Sequence, residues 1–217
     1  MDKTNDLKYL MTAQDIAKVY GISLPGQYQV TKHVFHDTAL YLNAATLELF
    51  FFDQARLGDV ANVLTNFSQN GQFPVTEAFL VTAIGVGFEF AVTQAAVAAA
   101  VTGVVNDINM LKWHASFMIK FSHKEYGPIP LSSIPQGVGP AGCISVANTI
   151  AAGGGTIGIY EASTNGVPQV ANLYRMKYLI EGSVPFNIRL AWNAAQTITG
   201  NTFIRVYLHG WWFRQVG

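Results

Sequence analysis

Apolar residues recur at alternate positions along most of this chain, which is the period of a strand whose side chains point to opposite faces in turn. Residues 36–52, HDTALYLNAATLELFFF, set Leu47, Leu49 and Phe51 on one face against Thr46, Glu48 and Phe50 on the other. PVTEAFLVTAIGVGFEFAV predicts a strand from about Ala78 to Ala91, with Phe79, Val81, Ala83 and Gly85 alternating against Leu80, Thr82, Ile84 and Val86. Gly85 and Gly87 mark a bulge or the close approach of another backbone. WHASFMIKFSH predicts a further strand with Trp113, Ala115, Phe117, Ile119 and Phe121 on one side. Strands also follow around TIGIYEA, MKYLIEG and FNIRLAWN, and FIRVYLHGWWFRQVG, residues 203–217, closes the series.

Three stretches depart from that period. MDKTNDLKYLMTAQDIAKVY reads as a short amphipathic helix, and GISLPGQYQ suits an extended arm joining it to the body. Residues 92–111 favour helix because alanine is the best helix former and Ile108 and Leu111 stand three apart. Its apolar part, AVTQAAVAAAVTGVV, is bracketed by Glu89 and Asp107 and is short for a bilayer crossing, so a buried or packing helix is expected, with a membrane span as the minor alternative. From Gly127 to Gly155, prolines and glycines point to a long surface connection. Many strands, few helices and long connections predict an all-β sandwich or barrel wired as a Greek key or jelly roll. The expected organisation is a helix and arm over residues 1–29 and one strand-rich body over 30–217 that carries one Ala-rich inserted helix.

The last strand raises a problem that composition sharpens. Ile204, Val206, Leu208 and Trp212 share one face, while Phe203, Arg205, Tyr207, His209, Trp211 and Phe213 share the other, so both faces call for cover. Charged residues make up only 12% of the 217 residues, with 13 Lys and Arg against 13 Asp and Glu, whereas apolar residues make up 50%. A surface that poor in charge, at no net charge, promotes association. The same balance leaves no field for attracting nucleic acid, and no direct sequence-specific nucleic-acid binding is expected. The amino terminus lacks the basic start and apolar run of a secretory signal, and the single cysteine, Cys143, cannot form an internal disulfide.

Candidate chemistry is sparse. HVFH at 33–36 offers a histidine pair with Glu48 as a third ligand, but an odd separation puts His33 and His36 on opposite faces of a strand. His114, His123 and His209 stand singly, PLSSIPQGVGP lacks the strand-turn-helix setting of a nucleophile, and Cys143 has no neighbouring cation to activate its thiol. GVGFEF and AAGGGTIG lack the spacing of phosphate-binding loops, and Glu48 with Glu89 is a carboxylate pair in number only. No catalytic, cofactor or metal residues are assigned. Trp113, Trp192, Trp211, Trp212 and Phe50 to Phe52 carry more information, since aromatic residues and arginine are enriched at the centres of interfaces. Trp212 and Phe51 are expected in the core. Arg205, Tyr207, His209 and Trp211, each with a polar handle, are expected to form a subunit contact, with a carbohydrate-stacking surface as the alternative.

Taken in order, several phrases resemble a known family. LELFFFDQ, LTNFSQNGQFP with its T-N-x4-G-x2-P spacing, and AFLVTAIGVGFEF with F-x-V-x-x-I-x-V are similar to the opening of jelly-roll major capsid proteins of tailless icosahedral bacteriophages, in the adenovirus-like capsid lineage and its relatives. DINMLKWHASFMIKFSHKEYGPIPLSSIPQGVG resembles the next block, a helix running into a strand, a K-x-Y step and a P-L-x-x-x-P-x-G loop. VPFNIRLAWN and FIRVYLHGWWFRQV resemble the final strand pair with its L-x-G-x-x-x-R ending. The similarity runs from about Leu47 to Val216. It implies a single jelly-roll β-sandwich over residues 30–217 and a non-enzymatic capsid subunit that self-assembles into trimeric or pseudo-hexameric capsomers of an icosahedral virus shell, with the Arg205, Tyr207, His209 and Trp211 face covered by a neighbouring copy or by the chain's own extra segments. Other implied partners are minor capsid or penton proteins and an internal lipid membrane. The implied location is the virion, after synthesis and assembly in host cytoplasm. The other readings are a carbohydrate- or receptor-binding jelly roll such as a viral spike head, and a cupin-like metalloenzyme.

Overall fold

In the computed structural model the described residues are 12–21, 26–53, 64–67, 71–90, 107–134, 142–146, 160–164, 174–198 and 201–216. Helix α1 spans Ala13–Tyr20. It starts where Thr12 and Asp15 cap each other: the Asp15 amide donates to Thr12 Oγ1 at 3.1 Å and the Thr12 amide donates to Asp15 Oδ2 at 2.9 Å. It stops at Gly21, whose φ of 57° is the left-handed turn that glycine adopts without a side-chain clash. A second helix, α2, covers residues 107–113, the end of the stretch expected to be helical; the Ala-rich part, 91–106, lies outside the described residues.

Among the described residues ten strands follow the chain: β1 Tyr28–Tyr41, β2 Glu48–Phe51, β3 Glu77–Phe90, β4 Ala115–Phe121, β5 Lys124–Pro130, β6 Gly142–Val146, β7 Tyr160–Thr164, β8 Tyr174–Ile180, β9 Phe186–Trp192 and β10 Thr202–Gln215. They form two four-stranded antiparallel sheets, ordered β1-β10-β3-β8 and β2-β9-β4-β5, and a small β6-β7 ribbon. The architecture is an all-β sandwich. Its pairs are nested: β1 with β10, β2 with β9, β3 with β8 and β4 with β5. The chain thus runs out through four strands and returns along them, a double ribbon wrapped so that its pairs alternate between sheets.

The inner faces meet in one core that includes Phe35, Phe52, Phe67, Phe73, Phe79, Phe121 and Phe186. Rings there pack edge-to-face, as in Phe35 on Phe79 at 4.9 Å, or stacked, as in Phe73 on Phe186 at 5.7 Å. The residues of LTNFSQNGQFP contribute to both packing and pairing. Phe67 and Phe73 enter the core, while Asn66 seals the free edge of β1, accepting from the His36 amide and donating to the Val34 carbonyl, both at 2.7 Å. Asp37, buried in β1, accepts from the Phe52 amide at 2.7 Å and ties down the end of β2.

Nested pairing sorts the connections. The ends of β1, β3, β5 and β9 and the starts of β2, β4, β8 and β10 share one end of the sandwich with α2, where the Trp192 indole N–H donates to the Leu111 carbonyl at 2.9 Å and the Tyr41 and Trp192 rings meet at 4.9 Å. Helix α1 and the end of β10 lie at the other.

Several expectations are corrected in detail. Residues 36–52 are two strands separated by a turn at 42–47, because the chain changes sheets there. β1 opens at Tyr28, so the last two residues of the expected arm are strand. The expected connection from Gly127 starts inside β5, since Lys124–Pro130 pairs with β4, and includes β6. Trp113 ends α2 and is 73% exposed, whereas Ala115, Phe117, Ile119 and Phe121 face the core as expected. The ladder between β3 and β10 runs unbroken past Gly85 and Gly87; its irregularity falls at His209/Gly210, and that between β3 and β8 falls at Val81/Ala83.

Candidate subunit-contact face

β10 is an interior strand, paired along its length with β1 on one side and β3 on the other. Ile204, Val206 and Leu208 point into the core and Trp212 packs against it, which fixes the other face as outward. Arg205, Tyr207, His209 and Trp211 therefore lie in one row on the outer surface of the β1-β10-β3-β8 sheet, together as the alternation requires.

Each occupies a different setting. Arg205 is half-buried opposite Gly87 and its Nε donates to Thr38 Oγ1 at 2.8 Å. Tyr207 lies opposite Gly85, with its ring 6.4 Å from the rings of both His36 and His209. The two glycines leave room on β3 for the bulky side chains of β10. His209 stands between Val34 of β1 and Ala83 of β3 and is 8% exposed; its Nε2 is buried without a hydrogen-bond partner. Burial, and secondarily the Lys32 charge, hold its pKa below the ordinary histidine value. Trp211 is partly buried against a second apolar cluster.

That second cluster answers half of the cover problem from within the chain. Ile16 of α1 is fully buried against Ala78, Leu80 and Phe213, with Tyr28, Val30, Leu179 and Trp211 around them. Helix α1 thus lies over the outer surface of the sheet at the C-terminal end of β10. Sequence reasoning recognised the helix and the outward row separately. It left cover by a neighbouring copy or by the chain's own segments open without singling out α1, and it missed Lys32, Val34, His36 and Thr38, which β1 adds beside the row. The period-two spacing of β1 carried that signal, but only its register with β10 gives it a place.

The opposite outer surface differs in kind. Arg189 of β9 reaches Glu48 of β2 and Glu125 of β5, each at 3.3 Å, and lies 2.9 Å from Met118 Sδ. Glu48 is thereby an ion-pair partner. His33 faces inward, 4.4 Å from the Phe35 ring and 5.2 Å from the Trp212 ring, and His36 faces outward, so HVFH does not converge. Among the described residues no three His, Cys, Asp or Glu side chains gather as metal ligands. Ser133 of PLSSIP donates to the Pro130 carbonyl at 2.7 Å within a 3-10 turn, Leu131–Ser133. The side chains of Glu89 and Cys143 lie outside the described set. Among the described residues no helix is long and apolar enough to cross a membrane. The chain matches no protein-family model, no curated protein and no solved structure.

Proposed function

We propose that this chain is a structural subunit, a jelly-roll major capsid protein that assembles into capsomers of an icosahedral shell. The nested pairing carries the reading: leaving out the β6-β7 ribbon, the eight remaining strands stand in the order 1-8-3-6 and 2-7-4-5, the wiring of a double Greek key rolled into a sandwich. A fold does not dictate function, so the outward row of β10 supplies the second support. Arg205, Tyr207 and Trp211 are half-buried on a surface that also carries Leu40 and Phe203, the mix of aromatic and arginine side chains found at the centres of interfaces. A symmetric shell needs only modest contacts repeated many times.

Light scattering and electron microscopy of the purified chain test this. Trimers, six-sided capsomers or closed shells are expected at micromolar concentration, and Tyr207→Glu is expected to leave a folded monomer. A wild-type chain that stays a monodisperse monomer overturns the proposal. Trp113, 73% exposed beside Met110 on α2, favours a second reading as a carbohydrate-binding head. Glycan binding lost in Trp113→Ala with assembly state unchanged selects that reading.

A further inference from the structure

His209 of β10 and His33 of β1 lie on opposite faces of the β1-β10-β3-β8 sheet, beside the same point of β10. His33 pairs with Gly210, and the ladder to β3 shifts register between His209 and Gly210. The bulge is held tightly: a side chain at Gly210 would run into the Leu80 carbonyl and lie 2.9 Å from the Phe79 ring. On the outer side, His209 Nε2 has no partner and no access to water, and the His209 carbonyl accepts from Thr82 Oγ1 at 3.2 Å. On the inner side, His33 lies among the rings of Phe35 and Trp212. A buried polar atom left unsatisfied costs about 1–3 kcal/mol, so its presence in a paired central strand calls for a reason.

The surroundings favour neutral imidazoles. Facing His209 are Lys32 and His36 from β1, Tyr207 and then Arg205 along β10, and Thr82 and Ala83 from β3; Arg175 of β8 stands across Ala83 with Lys177 beside it, and α1 brings Tyr20 to the neighbouring cluster around Trp211. Lys32, Arg175, Lys177 and Arg205 are cations. Near His33, the Glu77 carboxylate accepts from the Trp212 indole at 3.0 Å and pairs with Arg214 at 3.3 Å, while the Arg214 guanidinium lies 4.9 Å from the centre of the Trp212 ring.

We propose that the His209/Gly210 bulge is an acid-sensitive hinge, at which protonation of His209 and His33 opens the β3–β10 ladder locally while the sandwich stays folded. Desolvation lowers the pKa of both histidines from the ordinary value of 6.5. An opened strand takes up protons near that value, but the closed strand does so only at lower pH. Closure is therefore fully favoured above 6.5 and is lost as pH falls through the depressed values. The proposal stands independently of assembly, since both histidines and the bulge lie within one chain.

Hydrogen exchange of the full chain at pH 7.5 and pH 5, corrected for intrinsic rates, tests it. Amides of β3 and β10 around the bulge are expected to lose about tenfold or more of their protection at the lower pH, while β4 and β9 keep theirs. His33→Gln with His209→Gln is expected to abolish the difference, and His36→Gln to leave it intact. Equal loss in all strands, retained protection at the bulge, or an unchanged response in the double variant overturns the proposal. If the double variant does not fold, the strand-by-strand pattern of the wild type decides.

Discussion

Gly210 shows how one residue's role depends on a neighbour far along the chain. Its added side chain would meet the Leu80 carbonyl, backbone that cannot swing aside, so Gly210→Ala is expected to cost about 3 kcal/mol, or to yield insoluble protein, measured by denaturant unfolding. Arg189 makes the opposite case. It sits between Glu48 and Glu125, yet all three side chains reach solvent, and Arg189→Met is expected to change stability by less than about 1 kcal/mol in the same measurement. What was legible at this scale followed from parity: an odd separation placed His33 and His36 on opposite faces, and so they lie. The exposure of Trp113 was not legible by that rule. Residues 107–113 are helical, with the His114 amide donating to the Met110 carbonyl at 3.3 Å, so the strand period starts only at Ala115.

At the scale of elements, α1 shows local chemistry and tertiary cover acting together. Its start and stop are written in Thr12, Asp15 and Gly21, but eight residues make too short a helix to persist alone. Burial of Ile16 against Ala78, Leu80 and Phe213 supplies the missing stability. Ile16→Ala is expected to weaken this docking by about 2–4 kcal/mol, seen as faster tryptic cleavage after Lys18 while the sandwich stays intact. The sequence pattern located α1, β3, β9 and β10 well because each has its own period or cap. It read β5 from Gly127 onward as a connection because of its prolines and glycine; KEYGPIP is mostly exposed and has no apolar period, and pairing to β4 makes it a strand. Prolines also suit it to an edge, where they deter further strands.

For the whole molecule, the two outer surfaces divide the work. One bears the ion pairs of Arg189; the other bears the outward row of β10 and the seat of α1, and the proposed assembly uses the second. A substitution that separates these is expected to behave accordingly: Arg205→Glu should reduce assembly and, through the lost bond to Thr38, cost about 1–3 kcal/mol of stability, whereas Arg189→Met should leave particle formation as it is, with assembly read by light scattering and stability by denaturant unfolding. By itself the chain determined most of its strands, though not β5 or β6, its strand-rich class and which residues of β10 share a face, because alternation and capping act over a few residues. It also signalled a shortage of charge. Strand order, the cover that α1 lends to Phe213, and the unpartnered His209 beside a bulge were decided only in three dimensions. They depend on which distant segments pair, and pairing is settled by the joint burial of both sheets, a property no single segment contains.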